Sequence, residues 1–450
     1  MNIKSILVPL FISMNGVVSA QTEQRILLKN VTLIDGTGEA PKPGTDVLIA
    51  GNRILNIQPH IRDNTALQVD LTGKTIIPSL ICAHAHVGTL KGNTSTAENY
   101  TRENILRQLK KYQDYGVNAI LAMGTDRPLI FDGKLRDSTL AGLLPGARLF
   151  SAGYGFNTPD KSPASWMNLL KRPETAEDVK PMMDELAKLK PTVIKMWVDD
   201  HGGSAKKMKP EIYKSIISEA HKHGIRVATH LFYMADAKHL VEAGLDIIAH
   251  SIRDEEADDE LLKLMRKKGV VYIPTLALET YNFIYGDKPG WIEDPFFQAS
   301  LEPGVLEMIS APDYQSQARY APNYVKSKNA ARISMVNLKK ISDAGIMIAL
   351  GTDSGAFPIR TQGFTEHLEM ELMVQAGLSP MQVITISTKN AARALRIADE
   401  YGTLEKGKMA DFIVLKESPE KNIRNTRKIE SVWKAGKRVS NGPMYPLQKP

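Results

Sequence analysis

A single cysteine, Cys82, stands in this chain of 450 residues, which excludes any intrachain disulfide and leaves stability to core packing and bound groups. Charge of one sign is also missing. The 57 Lys and Arg are dispersed among 50 Asp and Glu, and the formal net charge is only +7. Two short basic runs, Lys206-Lys207-Met-Lys209 and Arg266-Lys-Lys268, lack interleaved aromatics, so they read as solvated faces and give no nucleic-acid footprint. The apolar stretch Ile6 to Val18 is short for a membrane span and is interrupted by Pro9, Ser13 and Asn15. With Lys4 before it and Val18-Ser-Ala20 at its end, it reads as a signal peptide, 1–20, cleaved after Ala20. The mature chain is then expected in a bacterial periplasm, with no stable membrane span.

Hydrophobic residues make up 43% of the chain and charged ones 24%, which fits a fully globular protein with one large domain and a smaller one. From Arg25 to about Gln58, short β-rich segments are broken by Gly36, Gly38, Pro41, Pro43, Gly44 and Gly51. The same texture returns in 410–415 and 431–439. Two β-rich ends around one long middle predict a small composite sheet domain built from 21–73 and 401–450.

The middle, 74–400, alternates strand and helix signals. Strand candidates are 74–83, 119–123, 148–152, 193–198, 226–230, 247–250, 271–276 and 346–350. Helical patterns lie between most of them, at 102–115, 176–189, 210–223, 235–243, 258–268 and 327–344, and several end in glycine. Repeated strand and helix units predict a parallel sheet, and eight strands favour a closed barrel over an open sheet. An open doubly wound sheet is further disfavoured because no glycine-rich phosphate fingerprint follows the first strand. The expected fold class is therefore α/β: a distorted (β/α)₈ TIM barrel with a small composite β-sandwich domain.

The chemistry gathers at the predicted strand ends. In Thr75-Ile-Ile-Pro-Ser-Leu-Ile-Cys-Ala-His-Ala-His-Val-Gly88, His84 and His86 share one strand face and can grip one metal ion. Lys195 follows in Val193-Ile-Lys-Met-Trp197, His230 in Val227-Ala-Thr-His230, His250 in Ile247-Ile-Ala-His250, and Asp353 in Ala349-Leu-Gly-Thr-Asp-Ser354. Each sits where a barrel of this kind carries its functional residues. His221 and His223 repeat the opening spacing but end a helical pattern, where i and i+2 diverge by about 200°. They are left outside the site, as are His60 and His239.

These residues, in this order, resemble the amidohydrolase superfamily, specifically its imidazolonepropionase-like and prolidase-like branch. The resemblance runs from Asn30-Val-Thr-Leu-Ile-Asp-Gly36 to Gly402-Thr-Leu-Glu-Lys-Gly-Lys-Met-Ala-Asp-Phe-Ile-Val414. It implies two divalent metal ions, Zn²⁺ or a similar first-row ion by donor type. His84, His86 and Asp353 would bind the first. Lys195, N6-carboxylated, would bridge to a second held by His230 and His250. A bridging hydroxide would attack the substrate, and Asp353 would act as general base and then acid. The implied substrate is a small-molecule amide, preferably a dipeptide or N-acyl amino acid. A cyclic amide or imidazolone ring, a lactone or ester, and a metal-free scaffold or binding protein are the alternatives. Association into a homo-oligomer is expected from the resemblance alone.

Two residues depart from the family stretch before the histidine pair: Ser79 stands for glycine and Cys82 for aspartate. Cys82 shares the face of His84 and His86, so it is expected beneath them as an apolar filler. Substrate contacts are expected from Tyr233, Arg253, Arg360 and His201, each in a loop just past a strand. The segment 280–324, rich in Pro, Tyr and Phe, is expected to form a lid or an interaction surface.

Overall fold

The computed structural model describes residues 24–159 and 166–444; the expected signal peptide, 1–20, lies outside the described residues. Five strands open the fold: β1 (Arg25–Leu33), β2 (Lys42–Ala50), β3 (Arg53–Gln58), β4 (Leu67–Asp70) and β5 (Thr75–Pro78). After β6 (Leu80–Ala85) and a short hairpin, β7 (Leu90–Lys91) and β8 (Thr94–Ser95), six strands alternate with helices. These are β9 (Val117–Ala122), β10 (Arg148–Ser151), β11 (Ile194–Trp197), β12 (Val227–His230), β13 (Ile247–Ala249) and β14 (Val271–Ile273). Three strands close the chain: β15 (Phe412–Leu415), β16 (Ile429–Lys434) and β17 (Lys437–Ser440). The architecture is α/β, and no helix among the described residues is long and apolar enough to cross a membrane.

Both chain ends share one sheet, in the order β17-β16-β15-β5-β1-β2-β3, with β4 beside β1. β15 inserts antiparallel between β5 and β16, pairing Ile413 with Ile77 and with Val432. Because strand side chains alternate, Leu28 and Leu27 serve opposite faces. Leu28 joins Leu33, Ile49, Phe412 and Trp433, while Leu27 packs with Leu48, Ile61 and Ala66. The Phe412 and Trp433 rings stack at 5.2 Å.

The apolar run 74–83, expected as one strand, is two. Pro78 has no N–H to extend a ladder. Ser79 N then donates to Asp411 O, whereas Leu80 N donates to Gly116 O, so the chain changes sheets at this residue. β6, β9 and β10 run parallel in one sheet, and β11 to β14 run parallel in another. Hydrogen bonds join them: Thr192 N to Ser151 O at 2.8 Å, Phe156 N to Lys195 O at 2.8 Å and Trp197 N to Phe156 O at 3.0 Å. On the other side, the expected strand 346–350 is reduced to a single bridge, Ile348 with Tyr272. Ala83 N nevertheless donates to Leu350 O at 2.7 Å, linking that segment to β6. The amides of Thr352 and Asp353 extend that link by donating to the His84 carbonyl, and Ser354 bridges Ala85.

The segment 280–324 is not an open loop. It folds into short helical turns, including Val305–Ser310 and Pro312–Arg319, and buries Tyr285, Phe296 and Phe297.

Candidate active site and metal centre

His84 and His86 leave the end of β6 and meet Asp353, which follows the Ile348 bridge. His84 Nε2 and His86 Nε2 lie 3.2 and 2.9 Å from the same Asp353 oxygen, Oδ1. The second carboxylate oxygen pairs with Arg360 Nη1. Burial would raise the Asp353 pKa, but hydrogen bonds from His84 and His86 and the Arg360 charge hold it well below the usual carboxylate range. The aspartate is also clamped from behind. Thr352 Oγ1 and Ser354 Oγ both donate to Glu366 Oε1 at 2.7 Å, gripping the chain on either side of Asp353.

Lys195, on β11, has 0% exposure, and its Nζ has no hydrogen-bond partner among the described residues. The amine lies 5.2 Å from the Trp197 ring centroid. Burial pulls its pKa down to about 7 against the pull of Asp353 and Asp199. The His230 and His250 rings are 4.2 Å apart, and His250 is 4.6 Å from His84, so all six expected ligands converge on one region. Burial, followed by the Lys195 charge, pushes His84 down to about 3; burial likewise lowers His250 and His230, so these rings favour the neutral, ligating form.

Three neighbours fix the rings. Thr125 Oγ1 contacts His86 Nδ1 at 2.7 Å, and Thr275 Oγ1 contacts His250 Nδ1 at 2.8 Å. Asp199 Oδ2 lies 3.4 Å from His230 Nε2. Each contact engages one ring nitrogen and leaves the other to face the cluster, where in His86 it meets Asp353 Oδ1 at 2.9 Å. Asp199 was not among the expected site residues, although it lies four residues past Lys195 with the same strand parity. It is 3% exposed, and its Oδ1, 3.7 Å from His201 Nδ1, has no hydrogen-bond partner among the described residues. Burial raises its pKa, but His230, His201 and Arg253 outweigh burial and leave it low. Asp353, His250, Thr275 and His201 all take positive φ, at 60°, 143°, 48° and 48°. Such backbone in non-glycine residues gathers at functional sites.

The donors His84, His86 and Asp353 form one buried group able to hold a cation, and Asp199, His201 and His230 form a second. The imidazole and carboxylate set suits a first-row divalent ion, and Lys195 Nζ, unpartnered among the described residues, is what such a centre would leave without a protein partner. Cys82 joins neither group. Its thiol points at the His84 carbonyl, 3.3 Å away, and burial raises its pKa, so it remains a protonated filler.

A cavity of about 390 Å³ opens over these residues, and Arg253, Arg360 and His201 line it. Both arginines are already committed. Arg253 Nε donates to Glu279 at 2.7 Å, and its Nη1 donates to the Leu231 and Ser251 carbonyls at 2.8 and 2.7 Å. Tyr233 is not brought to the cavity. Its hydroxyl donates to Asp200 at 2.9 Å and Lys207 covers its ring, because the residue opens the helix Met234–Glu242 and points along the outside of that turn.

Parallel strands thus bring histidines and, with the segment that carries Asp353, a carboxylate to one cavity, with donor groups that could hold a cation and a buried lysine on β11. Residues 75–439 match the model of the Amidohydrolase family, and the chain belongs to that family. It is similar to ochratoxinase of Aspergillus niger, 29% identical over 250 residues that cover 54% of this chain and 44% of the relative. It is also similar to imidazolonepropionase of Thermoanaerobacter pseudethanolicus, 25% identical over 207 residues that cover 45% of this chain and 37% of the relative. The chain thus spans less than half the length of each of these relatives. In fold it is similar to a Xaa-Pro dipeptidase solved with methionine in its active site, with TM-score 0.72 and 24% identity over 92% of this chain and 99% of that one.

Proposed function

We propose that this protein is an exported binuclear-metal amidohydrolase that cleaves the C–N bond of an amide, a dipeptide or N-acyl amino acid. Lys195 carries the reading. A fully buried ammonium without a partner is costly, whereas the carboxylated amine is an anionic ligand suited to sit between two cations. His84, His86 and Asp353 would hold one divalent ion. Carboxylated Lys195, His230 and His250 would hold the other, with Zn²⁺ suited to both donor sets. Bound there, such ions supply Lewis acidity, which polarises the amide carbonyl and acidifies water.

The chain's own residues do the positioning and the proton transfer. Asp353 takes a proton from the attacking water and returns it to the departing amine nitrogen. Arg360 keeps that carboxylate ionised, and the Glu366 clamp fixes its place. Thr125, Thr275 and Asp199 hold the rings of His86, His250 and His230, as outer carboxylates and hydroxyls do around metal-ligating histidines.

The eight parallel segments are read as a distorted (β/α)₈ barrel over 74–400, supported by the hydrogen bonds that link β10 to β11 and 347–350 to β14 and β6. The composite β-sandwich domain proposed for 21–73 and 401–450 is read from the sheet shared by both chain ends, which also takes in β5. Export rests on residues 1–20, and a homo-oligomer remains part of the proposal. Metal analysis of the purified protein, followed by a screen of dipeptides and N-acyl amino acids, tests the function. Two equivalents of a first-row ion and turnover within the panel are expected. A protein that retains no metal, or that turns over a lactone while leaving every amide intact, overturns the reading.

A further inference from the structure

The cavity over the histidines has a second character. Trp166, Met167, Trp197, Phe232, Leu278 and Phe357 line it together with the ionisable residues. Trp197 comes from the same strand as Lys195, and its ring lies 5.2 Å from Lys195 Nζ, so the apolar surface starts at the reacting centre. Trp166 and Phe357 meet edge to face, with centroids 6.5 Å apart, and Trp166, Met167, Leu170 and Trp197 form a small buried cluster of their own.

The backbone is built around this surface. A Cβ placed on Gly155 would lie 2.4 Å from Trp197 Cζ3, and one on Gly124 would lie 3.1 Å from Trp197 Cη2. Gly155 therefore leaves the indole its room, whereas Gly124 first makes room for the Lys195 stem, whose Cβ would lie 2.6 Å from such an atom. The charge inventory points the same way. Arg360 pairs with Asp353 and lies 5.2 Å from the Phe357 ring, and Arg253 pairs with Glu279 and lies 4.7 Å from the Phe232 ring. Every arginine lining the cavity is thus neutralised by a carboxylate and set against an aromatic face. What the cavity offers a substrate beside the reacting bond is chiefly flat apolar surface.

We infer that one side of the scissile amide is an aromatic or similarly large apolar group, seated against Trp166, Trp197 and Phe357. This rests on the amidohydrolase reading and names the substrate class within it. Burying an aromatic ring in such a pocket separates it from a methyl group by well over the about 1 kcal/mol that one methylene contributes.

The test uses the metal-loaded full chain and two matched amide series. In one the acyl group runs from acetyl to benzoyl to naphthoyl on alanine; in the other the amine runs from alanine to phenylalanine to tryptophan under a constant acetyl group. We expect kcat/KM to rise about tenfold or more along one of the series. Phe357→Leu, a change at the rim where the side chain is 40% exposed, should shrink that rise. Turnover with both series flat overturns the aromatic subsite and leaves amide hydrolysis standing. No turnover of any member overturns the amidohydrolase reading instead. In that event, quenching of tryptophan fluorescence by naphthoate and by acetate still decides the subsite: naphthoate should bind about tenfold more tightly, and equal binding rejects it.

Discussion

At the scale of single residues, the site divides into groups that would touch metal and groups that aim them. Lys195→Ala should lose both metal and turnover, and added short carboxylic acids should restore part of each by entering the space the side chain vacates. Metal content and rate with and without such an acid measure this, and full activity of the unsupplemented variant would refute the carboxylated lysine. Asp199→Asn should leave the fold intact but weaken the hold on one ion by about 10- to 100-fold, since the amide orients His230 less firmly. Competition with a chromophoric chelator reads that affinity; an unchanged value would show that Asp199 does not act through His230. That His84, His86, His230 and His250 would converge was legible because a strand fixes which side chains share a face and where they emerge. Asp199 obeys the same parity, but two residues beyond the end of β11 its direction is set by a turn, not by a pleat. Tyr233 shows the opposite failure: proximity to His230 in sequence did not decide which way its ring would point.

Elements answer to packing more than to chemistry. Gly155→Ala would press a methyl group against Trp197 and within 3.0 Å of the Lys195 carbonyl, and should destabilise the fold by about 1–3 kcal/mol. Denaturant titration measures this, and an unshifted midpoint would mean that the indole moves aside freely. The helix Leu276–Tyr281 starts on a buried carboxylate, because Leu276 N and Ala277 N donate to the two oxygens of Glu369 at 2.7 and 2.8 Å. Burial still dominates and pushes Glu369 up from 4.5 to about 8. In that window the folded chain keeps a proton that the unfolded chain has released, so this group's contribution to stability falls as pH rises from 4.5 towards 8. Thermal unfolding across that range, compared with Glu369→Gln, isolates the effect; parallel pH profiles would disprove it. Periodicity located most helices and parallel strands, since their apolar faces repeat in sequence. It joined β5 to β6 because an apolar run records burial and not the hydrogen-bond partner, and it credited 346–350 with a full strand where the structure has one bridge, Ile348 with Tyr272.

For the whole molecule, the sheet shared by the chain ends is tied to the sheet of β6, β9 and β10 by a buried ion pair. Arg148 on β10 meets Asp411 just before β15, with side chains 4% and 7% exposed, and Ala435 N donates to the same carboxylate at 2.7 Å. Asp411→Asn leaves Arg148 charged and buried without its counter-ion, and should lower stability by about 3–5 kcal/mol. Chemical denaturation tests this, and a loss below about 1 kcal/mol would assign the pair a surface-like weight. That both ends are rich in short strands was visible in the sequence; that β15 would slot between β5 and β16 was not, because strand order in a sheet is settled by which edges remain open once the rest has packed. This ordering bears on the life of the chain before it is finished. Until residues 411–415 have been synthesised, β5 has no partner on one side and the ion pair has no acid, so the strands at the amino-terminal end stay open-edged until the chain reaches β15. Truncation anywhere before β15 should therefore yield aggregates instead of a smaller enzyme.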